Sequence, residues 1–294
     1  MFALSLALAV SRSVMAGETI HDVVVDRGIV FGTGGEVELK LDLARPRSPG
    51  QRPGVVILHG GAWRLGDHRM LSARSRFLGT ESSVIEYFAA RGFVAVTAQY
   101  RLVPKAVFPA PLEDGKAAVR WLRANADRYG VNPNLIAACG YSAGGHLAAL
   151  LGLTNPSHGY EGTGGNAGQS SQVQAVIDLF GPTDLASSDW HADAEEGVLA
   201  PLIGARLKDK PELFRGASPL TYVTKTAPPF YIAHGTRDPV VPPVQSKRLA
   251  DRLTEAGVKH RYVEVPGEGH GWFGPKLAKT LDEAIAFLRE QFKA

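Results

Sequence analysis

The sequence predicts an α/β fold. The expected core is a mostly parallel, doubly wound sheet, opened by an antiparallel N-terminal hairpin and topped by a small cap insertion. Three observations carry this expectation. Short apolar runs without polar alternation recur, as at 55–58 and 93–98, and such runs suit strands covered on both faces. Segments with helical spacing separate them, which implies right-handed crossovers between parallel strands. The 33 glycines and 19 prolines supply the many turns that this alternation needs.

The elements follow in order. Segments 20–26 and 37–43 read as strands, the second alternating apolar and polar residues, with Gly32-Thr33-Gly34-Gly35 as the hairpin turn. The run 55–58 lies between Pro53-Gly54 and Gly60-Gly61. A helix over 83–90 stops at Gly92, and a buried strand follows over 93–98. A helix over 112–129 starts after Pro111 and ends at Gly130. Then come a strand over 135–139, a helix over 143–151, and strands over 173–179 and 231–233. A helix over 244–256, a strand over 261–265 and an amphipathic helix over 277–292 close the chain. The Gly/Ser/Asn/Gln-rich stretch 159–171 reads as a mobile loop, and 64–76 as a solvated face. Segment 187–219 breaks the alternation and reads as the insertion above the sheet.

Composition narrows the function classes. The 294 residues are 45% hydrophobic and 21% charged, near the soluble globular average, which argues against a disordered chain and a multi-span membrane protein. The net charge of +3 comes without a long basic run, so nucleic acid is not expected as a partner. The one cysteine, Cys139, leaves no internal disulfide and no cysteine-based metal cluster. Residues 2–10 form an apolar run too short to span a bilayer but suited to a signal peptide, with Val14-Met15-Ala16 before a cleavage point at Gly17. The expectation is a signal peptide over 1–16 and a secreted or periplasmic protein. No Lys or Arg precedes the run and Arg12 follows it; if it is instead the product of a mis-chosen start codon or a short packed N-terminal helix, the protein is cytoplasmic.

Gly140-Tyr141-Ser142-Ala143-Gly144 fits G-x-S-x-G between a strand and a helix, the setting that a nucleophile elbow requires. Ser142 would then face helix N-terminal N–H groups that favour developing negative charge. His59-Gly60-Gly61-Ala62-Trp63 directly follows the strand 55–58. Its glycines can present N–H groups without a side chain in the way, so Gly60, Gly61 and Ala143 are the expected oxyanion donors. Trp63 either lines the substrate pocket or anchors this loop, and Tyr141 is a second substrate-binding candidate.

A serine nucleophile needs a base, and the base needs a carboxylate to fix its tautomer. In this arrangement the chain order is serine, acid, histidine. His270, in the loop after strand 261–265, is the candidate base. Asp238, in the loop after strand 231–233, is the candidate acid, and Asp184 is its rival. His234 precedes the acid and so breaks the order as a base. His260 sits at a strand's beginning, at the wrong edge of the sheet. His146 lies inside the helix after Ser142 and reads as a packing residue. The spread of these residues from 142 to 270 favours one domain over 17–294.

The ordered set resembles the α/β-hydrolase fold esterases of the hormone-sensitive-lipase-like and acetyl-esterase group. Within it, the likeness is to the bacterial bifunctional feruloyl and acetyl xylan esterases. It rests on His59–Trp63 with Gly66-Asp67, Tyr100-Arg101-Leu102 with Phe108-Pro109-Ala110, 140–146, 180–185, 234–242 and 267–271. The resemblance implies Ser142, Asp238 and His270 as a catalytic triad. It implies a short-chain acyl ester or acylated polysaccharide as substrate, with no metal and no cofactor. One departure is that Ala62 replaces the third glycine of H-G-G-G. The H-G-G-x-W form also occurs in kynurenine formamidases, so amide hydrolysis, there or in a prolyl-peptidase-like enzyme, is the alternative reading. A receptor that has lost catalysis is the third, and all three triad positions being filled argues against it.

Overall fold

The computed structural model describes residues 20–73, 78 and 81–293. The expected signal peptide lies outside the described residues. Eight strands form one sheet: β1 (Val23–Gly34), β2 (Val37–Pro46), β3 (Arg52–Leu58), β4 (Val94–Ala98), β5 (Val131–Tyr141), β6 (Ala175–Leu179), β7 (Phe230–Gly235) and β8 (His260–Val265). Their spatial order is β1-β2-β4-β3-β5-β6-β7-β8. The β1–β2 and β2–β4 pairs are antiparallel, and every other pair is parallel. The hairpin strands are longer than the sequence suggested. Register shifts near Gly28, at φ 65°, and before Gly32 let β1 bend and continue pairing to Gly34.

Helices cover both faces, as the unbroken apolar strands require. On one face lie α2 (Ala110–Ala124), α4 (Ala143–Leu153) and α8 (Val244–Glu255), which bury Leu112, Leu147 and Leu249. On the other lie α1 (Val84–Ala90) and α9 (Pro275–Gln291), which bury Phe88 and Leu281. The central strand β3 has Val55, Val56, Ile57 and Leu58 wholly buried. α1 starts on a capping box: Ser83 Oγ accepts from Glu86 N–H, and the Glu86 carboxylate accepts from Ser83 N–H.

The long helix expected over 112–129 is two. Asn125, at φ −103° and ψ 19°, turns the chain between α2 and α3 (Ala126–Tyr129), and its side-chain amide donates to the Trp121 carbonyl. The stretch 64–76 is not wholly solvated: a short 3-10 turn, His68–Leu71, tucks Leu71 and the following Ser72 into the protein. The 159–171 loop is fastened rather than loose. The buried Lys116 ammonium of α2 reaches Glu161 Oε1 at 2.9 Å, and Arg120 reaches the Glu161 carbonyl at 2.8 Å.

Segment 187–219 is largely helical. It contains α5 (Ala192–Ala194), one π turn (Glu195–Leu199), α6 (Ala200–Ile203) and α7 (Pro211–Gly216). Gln245 of α8 clasps its root. Its side-chain oxygen accepts from the Thr183 and Asp184 N–H groups, and its amide donates to the Asp184 carbonyl and Ser187 Oγ. A buried side-chain amide with all its hydrogen-bonding capacity used is a rigid fastener.

Candidate active site

The turn from β5 into α4 is tight enough to dictate its residues. Ser142 has φ 56° and ψ −121°, a strained setting for a residue with a side chain. A Cβ on Gly140 would lie 1.9 Å from the Gly144 carbonyl oxygen, and one on Gly144 would lie 2.0 Å from the Leu58 oxygen. Both flanking positions therefore need glycine. The Ser142 N–H is held by the Leu179 carbonyl at 2.9 Å, which locks the strained residue to β6.

The structure brings Ser142, His270 and Asp238 together. Ser142 Oγ lies 2.8 Å from His270 Nε2, and His270 Nδ1 lies 2.8 Å from Asp238 Oδ2. An ionised carboxylate only accepts, so Nδ1 carries the proton and Nε2 offers a lone pair to the serine hydroxyl. Asp238 Oδ1 accepts from the N–H groups of Val240 and Val241 at 2.8 and 3.0 Å. Burial opposes the charge on Asp238. Hydrogen bonds from His234 and His270 outweigh it and hold the carboxyl well below the usual carboxylate range.

The rivals lie elsewhere. Asp184 faces Arg248 at 3.5 Å and is engaged with Gln245. His260 bonds to the Val258 carbonyl. Glu268, two residues before His270 in the chain, pairs with Lys276. His146 is wholly buried, and its Nε2–H donates to the Ala217 carbonyl at 2.7 Å, tying α4 to the end of segment 187–219. Burial lowers its pKa to about 4.

Gly60 borders the elbow: a Cβ there would stand 3.1 Å from the Tyr141 carbonyl oxygen and 3.4 Å from Ser142 Cβ. Gly61 has φ 112°, and a Cβ there would meet the Leu65 carbonyl at 2.3 Å. Ala143 is the first residue of α4, where the N–H has no partner within the helix. Ala62 and Trp63 continue the loop at φ 52° and 56°. Trp63 is only 2% exposed, and its ring meets the His146 ring edge-on at 5.0 Å. That packing favours the anchoring role for Trp63 over pocket lining. The Tyr141 ring packs edge-on to Phe180 at 6.3 Å, with its hydroxyl buried, so it backs the elbow.

The sequence reading gave several residues no supporting role. Phe180 has φ 48° and packs its ring 5.1 Å from His270 and 5.2 Å from Trp272. Tyr100 stacks on His59. His234 bonds to Asp238 from the buried end of β7. The available signals were its place four residues before Asp238 and at the start of the 234–242 stretch, and chain order excluded it only as the base, not as a partner of the acid.

A strained Ser142 between β5 and α4, in an eight-stranded sheet of this order, defines the class: an α/β-hydrolase. Likeness to known proteins agrees. A solved carbohydrate esterase from gut microbiota, in truncated form, superposes with a TM-score of 0.78 at 28% identity, covering 95% of this chain and 99% of that one. Esterase 2 of Thermogutta terrifontis, solved with propionate bound, gives 0.72 at 31% identity, covering 90% and 93%. Esterase LipC of Mycobacterium tuberculosis is 35% identical over 258 residues, covering 85% of this chain; the chain spans 62% of that relative's length. The chain belongs to the BD-FAE family, whose model matches residues 41–253.

Proposed function

We propose that this protein is a serine carboxylesterase acting on short-chain acyl esters, with Ser142, His270 and Asp238 as its triad. The observation that carries the reading is the unbroken hydrogen-bonded run from Ser142 Oγ through His270 to Asp238, with both contacts at 2.8 Å. It stands at the C-terminal ends of parallel strands, where open α/β sheets place their sites. The esterases among its relatives support the same reading.

In this mechanism His270 Nε2 takes the Ser142 proton as Oγ attacks the ester carbonyl. The oxyanion gathers at the N–H groups of Gly60, Gly61 and Ala143. Collapse breaks the ester C–O bond, and His270 returns the proton to the leaving alcohol. Water then attacks the acyl-enzyme, giving its proton to His270, and the acid leaves as Oγ regains a proton. Asp238 holds the imidazole in the required tautomer and balances its charge. Acetyl or feruloyl groups on plant polysaccharide are the substrates that the sequence resemblance implies, and a similar solved structure is that of a carbohydrate esterase. Residues 17–294 act as one unit in this reading, with 187–219 as its cap insertion. Export, expected from residues 1–16, suits an external polymer.

The test is hydrolysis of nitrophenyl acetate, methyl ferulate and N-formylkynurenine by the wild type and Ser142→Ala. Ester turnover should fall by about 10³-fold or more in the variant. Undiminished turnover would sink the assignment, and a preference for the formamide would move it to amide hydrolysis.

A further inference from the structure

Asp238 Oδ2 is shared by two imidazoles. His270 Nδ1 lies 2.8 Å from it on the side facing Ser142. His234 Nε2 lies 3.1 Å from the same oxygen on the buried side, and 3.0 Å from the Val241 carbonyl. Both neighbours of that nitrogen are acceptors, so Nε2 carries the proton of His234. Its Nδ1 then offers a lone pair, and Ser246 Oγ stands 2.7 Å away as the donor. His234 is 1% exposed and Ser246 wholly buried, so water does not compete for these bonds.

We propose that His234 and Ser246 are positioning residues. The Ser246 hydroxyl fixes the His234 tautomer, and the His234 Nε2–H aims the Asp238 carboxylate at His270 and draws off part of its charge. The inference rests on reading Ser142, His270 and Asp238 as the reacting relay. A carboxylate oxygen that accepts from two N–H groups spreads its charge between them. The second imidazole therefore holds the basicity of the first down. α8 supplies this control from outside the site loops, because its first turn carries both Ser246 and the Gln245 clasp on the insertion root.

Charged groups flank the pair on β6, β8 and α8. β6 contributes Asp178, which is buried and interacts electrostatically with His234. β8 sets Glu264 beside His234 in register, and Glu264 is exposed. From α8, Arg248 is engaged with Asp184 and Asp189. His270 itself faces Asp238, the Ser142 hydroxyl and the uncharged ring of Phe180.

The experiment is an NMR titration of the histidine rings in the full chain, run beside the pH profile of nitrophenyl acetate hydrolysis. In His234→Leu the His270 midpoint should rise by about half a pH unit to one unit, because Asp238 then serves one imidazole. The acid limb of kcat/KM should move with it, leaving KM unchanged. His234→Gln, which keeps an N–H donor, should restore the wild-type midpoint. If His234→Leu does not fold, Ser246→Ala should move the midpoint in the same direction by a smaller amount. An unmoved or lowered midpoint in a folded variant overturns the proposal. The ring titration reads His270 with or without turnover, so an inactive wild type would overturn the esterase reading alone.

Discussion

Tyr100 lies under the His59–Trp63 loop and holds it twice. Its ring stacks on the His59 imidazole at 4.2 Å with 14° between planes, and its hydroxyl donates to the His59 carbonyl at 2.9 Å. His59 Nδ1 in turn stands 2.7 Å from the Gly60 carbonyl. The backbone proposed to hold the oxyanion is thus braced from a residue that follows β4, the strand paired with β3.

Tyr100→Phe keeps the stacking and removes the hydroxyl. Stability should fall by about 1 kcal/mol, the net worth of one buried hydrogen bond. If the bond also aims the oxyanion donors, kcat on an acetyl ester should fall by about tenfold, equivalent to 1.4 kcal/mol, with KM little changed. Stopped-time assays and urea melts separate the two effects. A loss of stability with intact kcat would confine Tyr100 to holding the fold.

Asp178 gives a pH signature of the opposite sign to Asp238. Burial raises its carboxyl to about 6, against the Gly181 N–H bond and the nearby His234. Its Oδ1 accepts that N–H at 2.9 Å, while Oδ2 is buried without a partner among the described residues. Between about pH 4 and pH 6 the folded protein keeps a proton that the unfolded chain releases. Asp178 therefore costs stability as pH rises through that window, and the cost is complete above it. Asp178→Asn removes the linkage, so its melting temperature should gain on the wild type from about pH 4 to pH 7. Parallel melting curves across that range would contradict the assignment.

Glu161 is the counter-charge for two buried cations. Lys116 has no side-chain exposure and Arg120 3%, and both reach the Glu161 carboxylate. Glu161→Gln keeps the shape and leaves two like charges facing each other. The expected loss is on the order of 3 kcal/mol, because an uncompensated buried charge is costly. The 159–171 loop should also become sensitive to protease. Urea midpoints and limited proteolysis read the two effects, and an unchanged midpoint would mean that the loop is held by its backbone contacts alone.

Much of the fold was legible in the sequence. The runs at 55–58 and 93–98 announce strands covered on both sides, since exposed polar alternation is missing. Ser142 was legible because G-x-S-x-G between strand and helix is a local pattern set by backbone clearance at Gly140 and Gly144. The break at Asn125 was not, because a side-chain bond to Trp121 O outweighed helical periodicity there. Nor was the fastening of the 159–171 loop, whose composition reads as loose until Lys116 and Arg120 reach it across about forty residues of chain.

By itself the sequence determined the alternation of elements, the elbow and the chain order of Ser142, Asp238 and His270. Those features depend on near neighbours: apolar period, glycine clearance and turn chemistry. Only the tertiary structure decided that Asp238, rather than Asp184, meets His270, and that His234 and Ser246 stand behind it. It also decided that Trp63 packs against His146. Each of these depends on which strand ends the sheet order sets side by side, and that order is fixed by packing over the whole core rather than by any local run of residues.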